Sequence, residues 1–556
     1  MAKKVEKSLR FPLAGVDRRR AFGERVGPSE SYVTPWAINV RGVGNTEDRY
    51  RGGSRPGLSK VVATDFGTTI TGMQAVTSID ASGDRQYDLV IIADGVFYYL
   101  RGETVVTTES AWHTDDGVAI QTDDNVAIVF DSGVSATSPV GETSAFSMTQ
   151  RGGKVYLADS TVKEYDPVTG VVEAVVATVG TIPTAQALVS VYRDRLFLSG
   201  ADHVWYASRR SVFTDWDFGA QDTDLDRAVA GQLSFAGMIG SQVYAMIPYR
   251  DQVMVFACRN SIWMLQGDPT EGRLVMVSGG IGVIAPDAWS ISDDGVLAFL
   301  SNDGIYLWTV GSSSLPARFS EALVPEDLRN VDTTANIITM GYDSVYRGFH
   351  LFISPVTPNA SLLYTHWWID MDHKALWPVL LQHNHHPYAV AKLDGDGISE
   401  TVMGCADGHV RKFSDAAAND DGTAIKSHVA LGPFRLSSST STDAVLQEIQ
   451  GIIGVGSGAP AWRVVSGSTP EGVAEEYRLA ALNHYASGPP YVPAGFGYWV
   501  TTPEVLVAGI NQIQRPNVRG PWFIVWLESA LSWTYGSVMV KGKQLRGRLL
   551  VTELDS

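Results

Sequence analysis

Apolar and polar positions alternate along this chain in short blocks, and one arrangement of them keeps returning. In Ser292–Gly311 the apolar runs Val296–Leu300 and Ile305–Trp308 flank the polar turn Ser301-Asn302-Asp303-Gly304. Runs this short are strands rather than core helices. The turn has a mechanism, because Gly304 can take positive φ without steric cost while Asn302 or Asp303 can hydrogen-bond the local backbone. The block therefore predicts a β-hairpin. Apolar residues occupy both parities, Val296 and Ala298 as well as Leu297 and Phe299, so the first strand is expected to be buried on both faces. A hairpin covered on both sides needs neighbours like itself.

Such neighbours recur. Tyr87–Leu100 turns at Asp94-Gly95, Lys154–Tyr165 at Asp159-Ser160, Arg195–Ala207 around Gly200-Ala201-Asp202, Gln252–Leu265 at Arg259-Asn260, and Thr401–Phe413 at Asp407-Gly408. Gly348–Ser354 and Ser361–Asp370 form a related pair with a longer, Pro-containing connection. Turn-to-turn intervals of about 40 to 65 residues fall around the spacing of propeller blades carrying inserted loops and leave room for four strands per unit. The fold class expected is all-β: a β-propeller of six to eight blades over residues 61–415. Face-to-face packing of blades explains the continuous apolar runs and removes long exposed edges. Asn125–Phe130 is ambiguous, an outer strand or a degenerate hairpin. The competing fold is a pair of stacked β-sandwiches, which would need no such internal similarity.

The two ends of the chain differ from the middle. Residues 1–60 contain Gly, Pro and Arg at turn-forming intervals with little periodicity, which reads as an extended arm with short strands. After Ser414 the polar connection Asp415–Gly422 leads to candidate strands Ser427–Leu436, Val445–Val455, Ala461–Ser466, Gly497–Val500 and Trp522–Leu527. They predict a β-rich, sandwich-like C-terminal domain over residues 416–556.

Composition narrows the class. The chain has 556 residues, 45% of them hydrophobic and 19% charged, with 55 glycines, as expected of a folded, turn-rich protein. Its two cysteines, Cys258 and Cys405, lie inside apolar runs, which excludes a disulfide scaffold. No stretch has the length of a membrane span, and no apolar segment follows the charged first residues, so synthesis in a reducing cytoplasm is expected. The net charge is −17, yet residues 1–60 hold 13 Lys/Arg against 6 Asp/Glu, leaving about −24 on the remainder. A basic arm beside an acidic body can dock on nucleic acid or on the acidic surface of a neighbouring copy, or be a solvated loop at Arg18-Arg19-Arg20. The body itself repels phosphate.

Candidate chemistry is sparse. Asp394, Asp396 and Glu400 resemble part of a calcium loop but lack the full ligand series, so an inter-blade loop is the simpler reading. His383 and His385 would share a strand face, but no third ligand stands at a suggestive spacing, and QHNHHP reads as an exposed strand end before Pro387. Gly279, Gly280 and Gly282 lack the third glycine and the helix of a phosphate cradle. The turn Ser301–Gly304 has the wrong register for a sialidase Asp-box. With no GxSxG or HExxH and only scattered carboxylates, neither an enzyme nor a cofactor is expected.

Several stretches look familiar together. Ala37–Val40 followed by Arg51-Gly-Gly-Ser-Arg-Pro-Gly-Leu58, then Tyr192-Arg-Asp-Arg-Leu-Phe-Leu-Ser199, Val204–Ser208, Gly282–Pro286, Leu297–Leu300 and Asp303–Tyr306, with Val518–Gly520 and Leu545–Arg548 near the end, resemble strings of the tail nozzle, or tail tubular (packaged-DNA stabilisation type), proteins of short-tailed bacteriophages. In that group an N-terminal segment ending in an Arg-Pro-Gly turn precedes a propeller. The resemblance implies a hexameric virion ring in the tail, built on a head-to-tail adaptor ring and contacting fibre or spike proteins, through which double-stranded DNA is retained and then ejected without specific binding. Asp123, Asp124, Asp222, Asp224 and Asp226 are the expected lumen charges, which would let DNA slide. Arg18, Arg19, Arg20, Arg51 and Arg55 are the expected inter-subunit arm contacts. A carbohydrate-binding or carbohydrate-cleaving propeller would instead require carboxylates or aromatics clustered at one mouth. A cytoplasmic protein-interaction propeller would lack a ring-forming arm.

Overall fold

In a computed structural model of the chain, residues 4–18, 32–42, 51–79, 85–93, 95–101, 104–107, 147–159, 161–167, 171–200, 204–231, 239–312, 314–324, 326–357, 359, 364–393, 399–437, 442–454, 457–458, 460–487, 504–505 and 509–545 are described. Asn125–Phe130 and Gly497–Val500 lie outside them.

Seven four-stranded antiparallel sheets occupy residues 70–107, 147–174, 186–230, 243–278, 289–318, 336–380 and 387–414, the last completed by residues 57–60. They are the blades of a β-propeller, numbered here 1 to 7. Each hairpin read from the sequence is the middle pair of strands of one blade. In blade 5, Val296–Ser301 pairs with Gly304–Thr309 so that Ser301 faces Gly304 across the two-residue turn, and Gly304 has φ of 136°. Middle strands carry apolar residues on both parities because a neighbouring blade covers each face: all six residues of Val253–Cys258 are buried, as are all six of Arg195–Gly200. The fourth strand is a wet outer edge in some blades, as in the largely exposed Val171–Ala174, whereas Ala375–Leu380 of blade 6 is buried throughout.

Five short strands precede blade 1: β1 (Lys4–Leu9), β2 (Ala37–Ile38), β3 (Val40–Gly42), β4 (Gly52–Ser54) and β5 (Gly57–Lys60). The described part of residues 1–60 is not a free extended arm, because all five strands pair with strands of this chain. β5 lies antiparallel to Val410–Ser414 and is the outer strand of blade 7, so the first and last parts of the propeller close the circle together. β1 and the β3–β4 hairpin join Thr534–Gln544, while β2 joins Ser427–Phe434. These strands are two to six residues long and, the β3–β4 pairing aside, acquire their hydrogen bonds from partners hundreds of positions away, so they leave no periodic signature.

The C-terminal domain is a sandwich completed by those strands. One sheet runs β3, β4, Thr534–Gln544, Ala444–Ile453 and Gly509–Gly520, with β1 also on Thr534–Gln544; the other runs β2, Ser427–Phe434, Trp522–Ser529, Ala461–Gly467 and Glu504–Val505. A helix, α1 (Pro470–Ser487), was not anticipated from the strand pattern and packs on the second sheet, Tyr477 standing edge-on to Trp526 with ring centres 5.4 Å apart. Its start is chemically legible: the Thr469 hydroxyl accepts from the Gly472 amide at 3.1 Å and Pro470 supplies the first-turn φ. Propeller and sandwich share one core. Phe11 sits between them, its ring 5.9 Å from Trp377 of blade 6 and 5.5 Å from Tyr535 of the sandwich.

Candidate functional site

Among the described residues, polar chemistry gathers at the seam between propeller and sandwich and at the propeller axis, among other places.

The seam is built on residues 39–58. Asn39 adopts φ of 53°, in the left-handed region that asparagine tolerates better than most side chains. In that position its Oδ1 accepts from the Leu380 amide at 2.9 Å and from Arg55 Nε at 3.0 Å, while Nδ2 donates to the Lys426 carbonyl at 2.9 Å. One side chain thus links the N-terminal segment to blade 6 and the C-terminal connection. Arg55 forms a two-pronged pair with Asp420, Nη1 to Oδ1 at 2.8 Å and Nη2 to Oδ2 at 2.5 Å, and both residues are buried. The next two residues place the closing strand. Proline sets φ, and a Cβ on Gly57 would fall 2.3 Å from the Asn419 carbonyl oxygen and 2.4 Å from that of Ala417, so only glycine fits.

Arg41, on β3, enters the same seam differently. Its guanidinium lies over Trp368 at 4.1 Å, with Phe413 at 5.0 Å and Tyr346 at 5.5 Å, and none of its three nitrogens has a hydrogen-bond acceptor among the described residues. Burial lowers its pKa to about 10 against the opposing pull of Asp343. Aromatic faces, not carboxylates, carry this cation. His350 stacks on Phe413 with ring centres 4.5 Å apart, and burial pushes its pKa down to about 4, so it is neutral near pH 7.

The axial cavity is lined mainly by the first strands of five blades. Thr71–Gln74 of blade 1, Met148 of blade 2, Trp289 and Ser290 of blade 5, Thr339–Tyr342 of blade 6 and Tyr388–Lys392 of blade 7 surround a channel of about 260 Å³. Asp287, just ahead of the first strand of blade 5, contributes its carboxylate; burial alone raises its pKa to about 6. The residue is half-buried and lines the channel. Thr339 Oγ1 is buried there with no partner among the described residues.

The residues expected from sequence fall as follows. Asp222, Asp224 and Asp226 share one loop of blade 3, and each faces an arginine of that blade: Asp222 with Arg227 at 2.9 Å, Asp224 with Arg209 at 2.6 Å, and Asp226 with Arg210 at 3.9 Å. The hydrogen bond from Arg209 holds Asp224 below the ordinary carboxylate range. These six side chains sum to zero charge, so the acidic spelling of the loop overstates what it offers to DNA. The hub beneath is Arg195, a residue of the Tyr192–Ser199 string that the sequence had not singled out by role. It is fully buried and donates to the carbonyls of Ser208, Leu225, Asp226 and Arg227 and to Asp268 of blade 4. Asp123 and Asp124 lie outside the described residues, as do Asp394, Asp396, Arg19 and Arg20. Glu400 pairs with Lys412 at 2.6 Å. Arg18 pairs with Asp327 of its own chain, and its guanidinium lies over Trp36. Arg51 is exposed beside an open groove on the sandwich, lined also by Ser8, Arg10, Ile452 and Ser537. Arg55 is therefore corrected from an inter-subunit contact to an internal one.

The QHNHHP segment differs from its sequence reading as well. His383 is exposed, but His385 and His386 are buried. His366 Nδ1 accepts from the Ile353 amide at 3.0 Å, so its proton is on Nε2 and is donated to His386 Nδ1 at 2.9 Å. The two rings are a neutral link between blades 6 and 7, with His386 pushed down to about 4 by burial. Cys258 and Cys405 are free and buried, as expected of core thiols, and burial lifts Cys405 to about 12. Among the described residues no three His, Cys, Asp or Glu side chains form a group that could hold a metal ion. No helix of the described residues is long and apolar enough to cross a membrane.

No protein-family model and no curated protein sequence matches the chain. Among solved structures it is similar to the computationally designed Ika8 protein, at 14% identity over 64% of this chain and 99% of that one, with a TM-score of 0.33. It is also similar to the WD40 β-propeller domain of Doa1, at 12% identity over 65% of this chain and 97% of that one, with a TM-score of 0.35. The assignment of a propeller rests on the seven sheets themselves.

Proposed function

We propose that this chain is a non-enzymatic, ring-forming subunit of the tail nozzle of a short-tailed bacteriophage, part of the conduit through which DNA is held and released. The observation that carries the reading is the Arg55-Pro56-Gly57 turn. It is the most distinctive element of the resemblance, and it stands in the seam where the N-terminal segment meets the closing blade and the connection to the sandwich. A turn with that structural duty is expected to recur with the architecture it holds.

Scale supports a ring of copies over passage through one propeller. A duplex whose major groove alone is about 12 Å wide does not fit an axial channel of about 260 Å³. The conduit must then be the space enclosed by several subunits. Contact between copies is proposed on the outer sheet of the sandwich, where Ile452 and Ile510 face each other across paired strands, 40% and 68% exposed, with Met539 on a neighbouring strand. Arg51 beside this face matches a body that carries the negative excess.

Light scattering and particle imaging of the purified chain, alone and with the adaptor ring, test the reading. Closed rings of about six copies with a central opening are expected, and Ile510→Asp should disperse them. A wild-type protein that stays monomeric in both conditions would overturn it, and a glycan screen would then be the next experiment.

A further inference from the structure

The axial channel has features that closing a propeller does not require. Among the described residues that line it, Asp287 and Lys392 carry the formal charges. Lys392 is committed elsewhere, its ammonium 2.6 Å from Asp293 and 6.0 Å from the centre of the Tyr342 ring. No described side chain or amide donates to the Asp287 carboxylate, and its shift arises from burial with no contribution from a neighbouring charge. Tyr388 uses its hydroxyl on the Pro355 carbonyl, and the Trp289 indole donates to the Pro286 carbonyl at 2.8 Å. Both aromatics therefore offer the channel their rings and not their polar tips. Thr339 Oγ1 is left as a buried hydroxyl without a partner. The volume is many times what one water needs.

An unpartnered carboxylate, an orphan hydroxyl and aromatic and methionine walls define an occupant: positive at one end, able to donate hydrogen bonds, and apolar behind. We propose that the propeller axis binds a small alkylammonium ion, its ammonium donating to Asp287 and Thr339 and its carbon chain lying against Trp289, Tyr388 and Met73. The Lys392 ammonium near the Tyr342 ring shows that this wall already accommodates the same chemical group. Electrostatic attraction to a poorly solvated carboxylate and to ring faces is stronger here than at the open surface.

Calorimetric titration of the full chain with n-butylammonium chloride tests the proposal, with 1-butanol as the neutral equivalent. Saturable binding is expected at pH 8. Because the Asp287 carboxyl has a pKa of about 6, only about one tenth of it is ionised at pH 5, and the apparent affinity should be about tenfold weaker there. Asp287→Asn should abolish binding while leaving the cooperative melt intact, and Thr339→Val should weaken it. Nα-acetyl-lysinamide, bulky behind the same ammonium, separates a free amine from the tip of a partner's lysine; tight binding of either probe supports the site. The proposal is overturned by absence of saturable binding of both at pH 8, by equal binding of 1-butanol, or by unchanged binding in Asp287→Asn, which would report surface carboxylates.

Discussion

Arg55 and Asp420 meet as a buried, two-pronged ion pair across 365 positions of sequence. Removing either partner leaves the other as an uncompensated buried charge, a loss of about 3–5 kcal/mol. Arg41, a short way along the same segment, has aromatic rings where Arg55 has a carboxylate. Arg41→Met surrenders the cation–π attraction but also relieves the desolvation of an unpaired guanidinium, so the net change should stay below about 2 kcal/mol. Urea midpoints of Arg55→Met, Asp420→Ala and Arg41→Met measure this. A loss for Arg41→Met equal to that for Arg55→Met would show that an acceptor, and not the rings, holds Arg41.

Residues 1–60 supply strands to both sheets of the sandwich and to blade 7. Deleting them opens the propeller circle, uncovers Thr534–Gln544 and strips Phe11 from the shared core. The truncated chain is expected to be insoluble or to lose its cooperative thermal transition, whereas a detachable docking arm would leave the melt unchanged. Adding a peptide of residues 1–60 in trans should restore part of the transition.

Stability should fall in acid through the buried histidines. An unfolded histidine titrates near 6.5, while His350 and His386 are pushed down to about 4. Between those values the unfolded chain binds more protons, so the stability these rings contribute is present above pH 6.5 and is lost as pH drops through 4. At 1.36 kcal/mol per unit this amounts to on the order of 3 kcal/mol for each ring. Asp287 works in the opposite sense: its folded pKa, raised to about 6, contributes stability below the unfolded value near 3.9 that is lost as pH rises through 6. Melting curves from pH 4 to 7 should therefore rise with pH in the wild type, and more steeply in Asp287→Asn. A flat profile in both would contradict the burial assigned to these groups.

The propeller was legible because its signal is local. The middle strands of each blade, such as Val253–Cys258 and Ile262–Gln266, are contiguous apolar runs joined by a short polar turn, and both the burial and the turn chemistry are written within about fifteen residues. The candidate sites were legible only in part, because they depend on what a residue meets. Asp222–Asp226 spells a negative patch, but its charges are cancelled by arginines that the blade's own fold brings over it. Arg55 looks like surface charge in a glycine-rich arm and is instead buried against Asp420. Asp287 follows a proline in an ordinary loop, and nothing in its neighbours says that five blades converge on it. The start of α1 at Thr469-Pro470-Glu471 was readable from its cap, yet apolar strands on either side drew attention away from it.

The closing strand β5 also sets a clock. A ribosome delivers Gly57–Lys60 early, but its partner Val410–Ser414 emerges only after the other blades have been made, and the strand that receives β1 comes later still. At about 5–20 residues per second, this interval is on the order of a minute. During that time β1, β2 and β5 are without their partners, and the β3–β4 hairpin still lacks the strand that receives it. The protein's exposure to misassembly is therefore greatest before its last strands exist, and its yield should depend on how fast it is translated and on what shelters that first segment while it waits.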